Sequence, residues 1–170
     1  MNPIYKEKDV ENVVNLDVNS LYPSVMMYEK MPIGDPIFFE GQYKPDSIYD
    51  LYIQMITCSG FKVKKNHIPT IQLKNSRFYL GNEYIEETKD GEGVALCLTN
   101  IDLKLFLEHY DVYDLNYVSG WKFRSINGLF TNYIDKWIQV KNESTISGNK
   151  GMRTLAKLML NSLYGKFATS

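Results

Sequence analysis

Apolar and polar positions change their spacing twice along the chain, and the changes mark three stretches. In the first, Val13, Val14, Leu16 and Val18 are apolar and mostly β-branched, which predicts a buried strand ending near Asp17. Pro23 disfavours helix at Tyr22, so a turn is expected there, followed by a short helical turn at Val25 to Tyr28. The run Met31-Pro32-Ile33-Gly34-Asp35-Pro36 then interrupts regular structure and reads as a boundary.

The second stretch, Ile37 to Phe123, reads as short strands around one helix. Leu51, Ile53 and Met55 alternate with Tyr52, Gln54 and Ile56, and Ile68 to Lys74 forms another extended run. Lys62 to His67 reads as a hydrophilic hairpin, and Gly91-Glu92-Gly93 as a turn into a strand at Val94 to Leu98. Thr99 with Asp102 has the spacing of a helix cap, predicting a helix from about Asn100 to Tyr110 and a return to strand from Val112 to Phe123.

In the third stretch the period becomes helical. Phe130, Ile134, Trp137 and Ile138 form one apolar stripe ending near Lys141, and the polar run Asn142 to Asn149 reads as a mobile loop. A second helix follows, with Met152, Leu155, Ala156, Met159 and Leu163 on one face and Arg153, Lys157, Asn161 and Tyr164 on the opposite one. Gly165 suits its end. The expected class is α+β: a strand segment, a small mixed α/β subdomain and an antiparallel helix pair.

Composition adds limits to this picture. A chain of 170 residues with 44% hydrophobic content can bury a core, as one domain or two small lobes. Cys58 and Cys97 lie outside any metal-ligand spacing and read as buried thiols of a reducing compartment. Nothing at the amino terminus resembles a signal peptide, and no apolar run approaches the ~20 residues needed to cross a bilayer, so no membrane association and a cytoplasmic location are expected. The formal net charge of −1 speaks against a nucleic-acid partner until its distribution is considered. From Lys136 to Ser170 there are six basic residues and one acidic, a net +5; the other 135 residues carry 13 basic and 19 acidic, a net −6. A locally basic end on an acidic body suits phosphate capture at one place.

Two constellations carry candidate chemistry. The first, Asn15-Leu16-Asp17-Val18-Asn19-Ser20-Leu21-Tyr22-Pro23-Ser24, gathers a carboxylate, short hydroxyl and amide side chains, a tyrosine and a proline within ten residues. A strand-end carboxylate can hold a hard cation such as Mg²⁺, although an Asp-x-x-Ser run by itself more often makes an Asx or Ser turn. The second is Lys157-Leu158-Met159-Leu160-Asn161-Ser162-Leu163-Tyr164-Gly165. Asn161-Ser162 inside a helix costs propensity without a structural return, which favours a functional reading.

Together the two blocks resemble family B DNA polymerases. In that family an Asp-x-x-Ser-Leu-Tyr-Pro-Ser block, motif A, supplies one of two metal-binding aspartates, and a Lys-x-x-x-Asn-Ser-x-Tyr-Gly block, motif B, binds the incoming nucleotide. Further stretches, including Ile68-Pro69-Thr70-Ile71-Gln72, Arg77-Phe78-Tyr79, Gly81-Asn82-Glu83-Tyr84 and Ile134-Asp135-Lys136-Trp137, are similar to the protein-primed branch from small bacteriophages. The resemblance covers essentially the whole chain. It implies a palm segment with motif A at 1–30, a terminal-protein-region insertion at 31–126, and a fingers helix pair with motif B at 127–170.

The same resemblance implies the site. Asp17 would be catalytic and, with the carbonyl of Val18, would hold metal: two Mg²⁺ ions in the complete enzyme, with Mn²⁺ as the substitute. Tyr22, Lys141, Arg153, Lys157, Asn161 and Tyr164 would face the nucleotide, Tyr22 lying beneath the sugar where a ring excludes a 2′-hydroxyl. Lys74, Arg77 and Tyr84 would contact DNA or the priming protein. The implied partners are primer-template DNA, deoxyribonucleoside triphosphates and a terminal, priming protein, in the host cytoplasm if the source is a phage. The Tyr-x-Asp-Thr-Asp block that carries the family's second aspartate, motif C, does not occur in these 170 residues. The chain is therefore expected to be an internal fragment that does not polymerise alone. The competing expectation is a non-catalytic DNA- or priming-protein-binding module from a truncated prophage product.

Overall fold

The computed structural model describes residues 14, 20–72, 84–88 and 93–167. Among these, helices and strands follow in the order α1 (Leu21–Tyr28), β1 (Met31–Glu40), β2 (Leu51–Cys58), β3 (Gly60–Val63), β4 (Val94–Thr99), α2 (Asn100–His109), β5 (Tyr110–Tyr113), β6 (Asn116–Ile126), α3 (Thr131–Ile146) and α4 (Lys150–Lys166). The class is α+β, as expected. Among the described residues, Gly34–Arg124 form one compact unit, and 20–33 with 125–167 form the other. No helix among them is long and apolar enough to cross a membrane.

The mixed unit is built on a four-stranded sheet of order β1-β6-β2-β4, with β2 antiparallel to both β6 and β4. The alternation expected along β2 is present, and its even positions are the buried ones. Gln54, Ile56 and Cys58 register with Leu98, Leu96 and Val94 of β4 and turn inward with them, whereas Met55 is exposed. Helix α2 covers this face with Leu103 and Phe106, and the rings of Phe61, Phe106 and Tyr110 meet at 5.1–5.2 Å. Such aromatic contacts add to the area they bury. Gln54, fully buried, donates to the carbonyls of Gly41 and Ser119 at 3.0 and 2.8 Å and accepts from the Tyr43 amide at 3.0 Å. A buried amide is tolerated because its capacity is met. Thr99 caps α2 by accepting from the Asp102 amide, as its spacing predicted.

Tyr110 ties two distant segments together. Its buried hydroxyl accepts from the amides of Thr70 and Ile71 at 2.7 and 3.2 Å and donates to the carbonyl of Ile85 at 2.9 Å. The Ile85 amide donates back to the Ile71 carbonyl at 2.9 Å. Burial pushes the Tyr110 phenol pKa up.

Several expectations need correction here. Met31 to Pro36, read as a break in regular structure, is the first part of β1, which runs from Met31 to Glu40. Ile68 to Gln72 is not a strand, because its amides at Thr70 and Ile71 go to a side chain rather than to a ladder. Lys62 to His67 makes a turn through Asn66, at φ 66°, but no hairpin, since β3 pairs with β5. Of the two thiols only Cys58 is buried, and burial raises its pKa; Cys97 faces outward on β4. Lys74 and the turn at Gly91-Glu92 lie outside the described residues.

The helical unit packs α1 against the α3–α4 pair around Met26, Ile134 and Leu160, with Phe130, Trp137, Ile138 and Leu163 at the margin. Here too the sequence misleads at three places. Helix α1 starts at Leu21 and includes Tyr22, because Pro23 falls in the first turn, where a missing N–H costs nothing. The expected loop at 142–149 shrinks to Ser147, Gly148 and Asn149, with Gly148 at φ 70°. Helix α3 runs on because Ser144 is buried and the Thr145 and Ser147 hydroxyls return to the carbonyls four residues back. Lys141 is thus interior to α3. On α4 the buried line is Ala156 and Leu160, while Met152 and Leu155 are exposed, so the polar residues flank the packed seam instead of opposing it.

Candidate functional site

That displacement of the seam leaves a polar concavity in the helical unit. Ala156 is wholly buried and small, so α3 and α4 can approach closely there, and the side chains one turn to either side are left beside the contact. From α4 come Arg153, Lys157, Leu160 and Asn161, from α3 Ile138, Lys141 and Asn142, and from the start of α1 Ser20 and Ser24. They line a cleft of about 540 Å³, within the range of small-ligand sites.

Among the described residues the cleft holds three cationic side chains and no carboxylate. Lys141 donates from Nζ to the Ser20 hydroxyl at 3.2 Å. The salt bridges among the described residues, Lys62–Glu87 and Lys122–Asp46, both belong to the mixed unit. Three like charges around one concavity, with amide and hydroxyl groups between them, make a site for a multiply charged anion. A second cavity, of about 280 Å³ in the mixed unit, is lined by Thr70, Leu96, Cys97 and Asp102 among others, with no cation among the described residues of its wall.

Tyr22 and Tyr164 do not line the cleft. Their rings stack on each other, 4.2 Å between centroids and 16° between planes, each about half exposed. The stack joins the first block of the sequence to the second. Ser162 is accommodated in α4 by donating to the Met159 carbonyl at 3.0 Å, which leaves Asn161 to face the cleft.

The sequence candidates therefore divide into three groups. Lys141, Arg153, Lys157 and Asn161 come together in one cleft, and Tyr22 pairs with Tyr164. Tyr84 is exposed in the mixed unit, next to the Ile85 held by Tyr110. Asp17, Val18, Lys74 and Arg77 lie outside the described residues. Sequence reasoning missed Ser20, Ser24 and Asn142. For Asn142 a signal emerges only after packing has carried α3 past Lys141, when Ile138, Lys141 and Asn142 share a face at spacings of three and four.

Among the described residues no three His, Cys, Asp or Glu side chains are grouped as metal ligands. The cleft's donors suit anionic oxygen instead. Asp17, three positions before Ser20 in the sequence, lies outside the described residues.

A family model described as DNA polymerase type B, organellar and viral, matches residues 1–170. The chain is 49% identical over 170 residues to the DNA polymerase of Bacillus phage phi29, covering all of this chain and 28% of that protein. It is 38% identical over 156 residues to the DNA polymerase of Streptococcus phage Cp-1, covering 89% of this chain and 26% of that one. Its fold matches the solved structure of phi29 DNA polymerase complexed with primer-template DNA and incoming nucleotide substrates with a TM-score of 0.83, at 52% identity over 90% of this chain and 26% of the other. The chain thus spans little more than a quarter of the length of the relatives it matches.

Proposed function

This chain belongs to the organellar and viral type B DNA polymerases, and on that footing we propose that it supplies the nucleotide-gripping part of an enzyme that adds deoxyribonucleotides to a primer in protein-primed replication. The observation that carries this reading is the cleft of Lys141, Arg153, Lys157 and Asn161, three cations and an amide with no carboxylate among them. A nucleoside triphosphate is the multiply charged anion that motif B would receive there. The two-motif resemblance and the phage relatives favour a catalytic parent over a non-catalytic module.

In this reading 1–30 and 127–170 are the palm segment and fingers, and 31–126 is the terminal-protein-region insertion. Lys141, Arg153 and Lys157 bind triphosphate oxygens, the lysines as compact point charges and the guanidinium through its fork of donors. Tyr22, held against Tyr164, lies under the sugar and leaves no room for a 2′-hydroxyl. Asp17 and the Val18 carbonyl are the groups here that would hold Mg²⁺ or Mn²⁺. The chemistry such ions would supply when bound is activation of the primer hydroxyl and neutralisation of charge on the phosphates. One carboxylate does not complete a two-metal site, so the 170-residue chain by itself should not extend a primer. Lys74, Arg77 and Tyr84 contact DNA or the priming protein, and the setting is the host cytoplasm.

The test is steady-state kinetics on the full-length polymerase that contains this chain. Lys157→Ala should raise KM for all four deoxyribonucleotides by about ten- to a hundredfold, the range expected for a hydrogen bond to a charged group. Tyr22→Val should raise ribonucleotide use with little loss of deoxyribonucleotide use. Unchanged KM in the first variant, or unchanged sugar discrimination in the second, would overturn the corresponding role.

A further inference from the structure

We propose that Ser20 is a positioning residue: its hydroxyl holds the Lys141 ammonium in the cleft as a full, unneutralised charge ready for the triphosphate. The inference rests on the nucleotide reading of the cleft and goes beyond it in assigning a role to a side chain that binds no substrate atom itself.

Ser20 departs from what a serine at the start of a helix ordinarily does. It is the N-cap of α1, where a serine hydroxyl normally accepts from an amide of the first turn and stabilises the helix by about 1 kcal/mol. No such bond is made. Elsewhere in the chain the same opportunity is taken, Thr99 accepting from the Asp102 amide and Asn149 from the Met152 amide. Ser20 instead stands at φ 54°, ψ 46°, a left-handed conformation that a residue with a Cβ adopts at a cost of roughly 1–2 kcal/mol. With the capping bond forgone and the backbone strained, the Ser20 hydroxyl is presented to Lys141 Nζ at 3.2 Å, and both residues line the cleft.

A lysine head on a four-carbon stem has about 2 kcal/mol of rotamer entropy to lose when it grips a ligand. Anchoring the head beforehand reduces that loss at binding. A carboxylate would anchor it too, but would cancel the charge and compete with the phosphate. A neutral hydroxyl oxygen orders the ammonium and leaves its charge intact, which is the property the cleft requires.

The experiment compares KM for deoxyribonucleotides in the full-length polymerase and in four variants: Ser20→Gly, Ser20→Asn, Lys141→Ala, and Ser20→Gly combined with Lys141→Ala. Glycine keeps the left-handed backbone and removes the hydroxyl; asparagine accepts the same backbone and retains an acceptor oxygen. Ser20→Gly should raise KM for all four nucleotides about three- to tenfold, the cost of ordering one rotamer-rich side chain at binding. Ser20→Asn should recover most of that loss, and Ser20→Gly should add nothing in the absence of Lys141. If Lys141→Ala raises KM while Ser20→Gly does not, the positioning role is wrong and the cleft reading stands. Independent, multiplying effects in the double variant would also overturn it, since Ser20 would then act otherwise than through Lys141. If Lys141→Ala leaves KM unchanged, the cleft reading fails at Lys141 and the inference falls with it.

Discussion

Three lysines of the mixed unit end on oxygens of their own unit: Lys62 on Glu87 at 2.9 Å, Lys122 on Asp46 at 2.7 Å, and Lys64 on the carbonyls of Leu107 and Glu108 at 2.8 and 3.0 Å. Those of the helical unit's cleft face a concavity without a carboxylate among the described residues, and Lys141 there meets a neutral hydroxyl. The same residue type serves two purposes. In the first unit the charge is satisfied on folding and contributes to holding segments in place. In the second it is left facing the cleft, and its favourable energy would appear only when an anion arrives.

The comparison predicts opposite responses to substitution. The largest effect on stability should come from the mixed unit's buried polar knot. Tyr110→Phe removes the oxygen that receives two amides and leaves buried donors unmet, which should cost about 1–3 kcal/mol in denaturant unfolding. An unchanged midpoint would mean that the knot is not structural. A much smaller effect is expected in the cleft: Lys157→Ala should move stability by no more than about 0.5 kcal/mol, because the side chain is exposed and relieved of like-charged neighbours. A large loss there would make Lys157 a fold residue and erase the contrast.

The smallest effect concerns Asp46 and pH. Its hydrogen bond from Lys122, followed by those from the amides of Ile48 and Tyr49, lowers the carboxyl pKa to about 2. A depressed carboxyl stabilises the fold fully above its unfolded pKa of about 3.9 and loses that contribution as pH falls through the folded value. Wild type and Asp46→Asn should therefore differ slightly in denaturant midpoint at neutral pH and converge between about pH 4 and pH 2. A gap that persists at pH 2 would refute the assignment.

The elements that could be read from sequence are those whose local signals agree with their tertiary surroundings. Thr99 and Asp102 announce the start of α2, the alternation at 51–56 announces β2, and Val94, Leu96 and Leu98 announce β4. Where tertiary context decided, the sequence misled. Asn142, Ser144 and Ser147 have loop composition, yet burial of Ser144 and back-bonding hydroxyls at Thr145 and Ser147 extend α3 by more than a turn. On α4 the largest apolar residues were assumed to face the core, but small Ala156 permits the close approach and so selects the seam. Arg153, Lys157 and Asn161 were legible because helical spacing puts them on one face of α4, and Lys141 was named through the family resemblance. The share of Ser20 and Asn142 was not, because it depends on helix boundaries that only packing fixes.

The Tyr110 knot also has a consequence for chain length. Because Ile71 and Ile85 are bonded to each other and to one phenol, the two ends of the thirteen-residue interval between them are held at a single point. The entropy of closing such an interval grows only logarithmically, about 0.6 kcal/mol for each doubling of length. Changes in the number of residues between Ile71 and Ile85 should thus carry little penalty for the two ends that the knot holds.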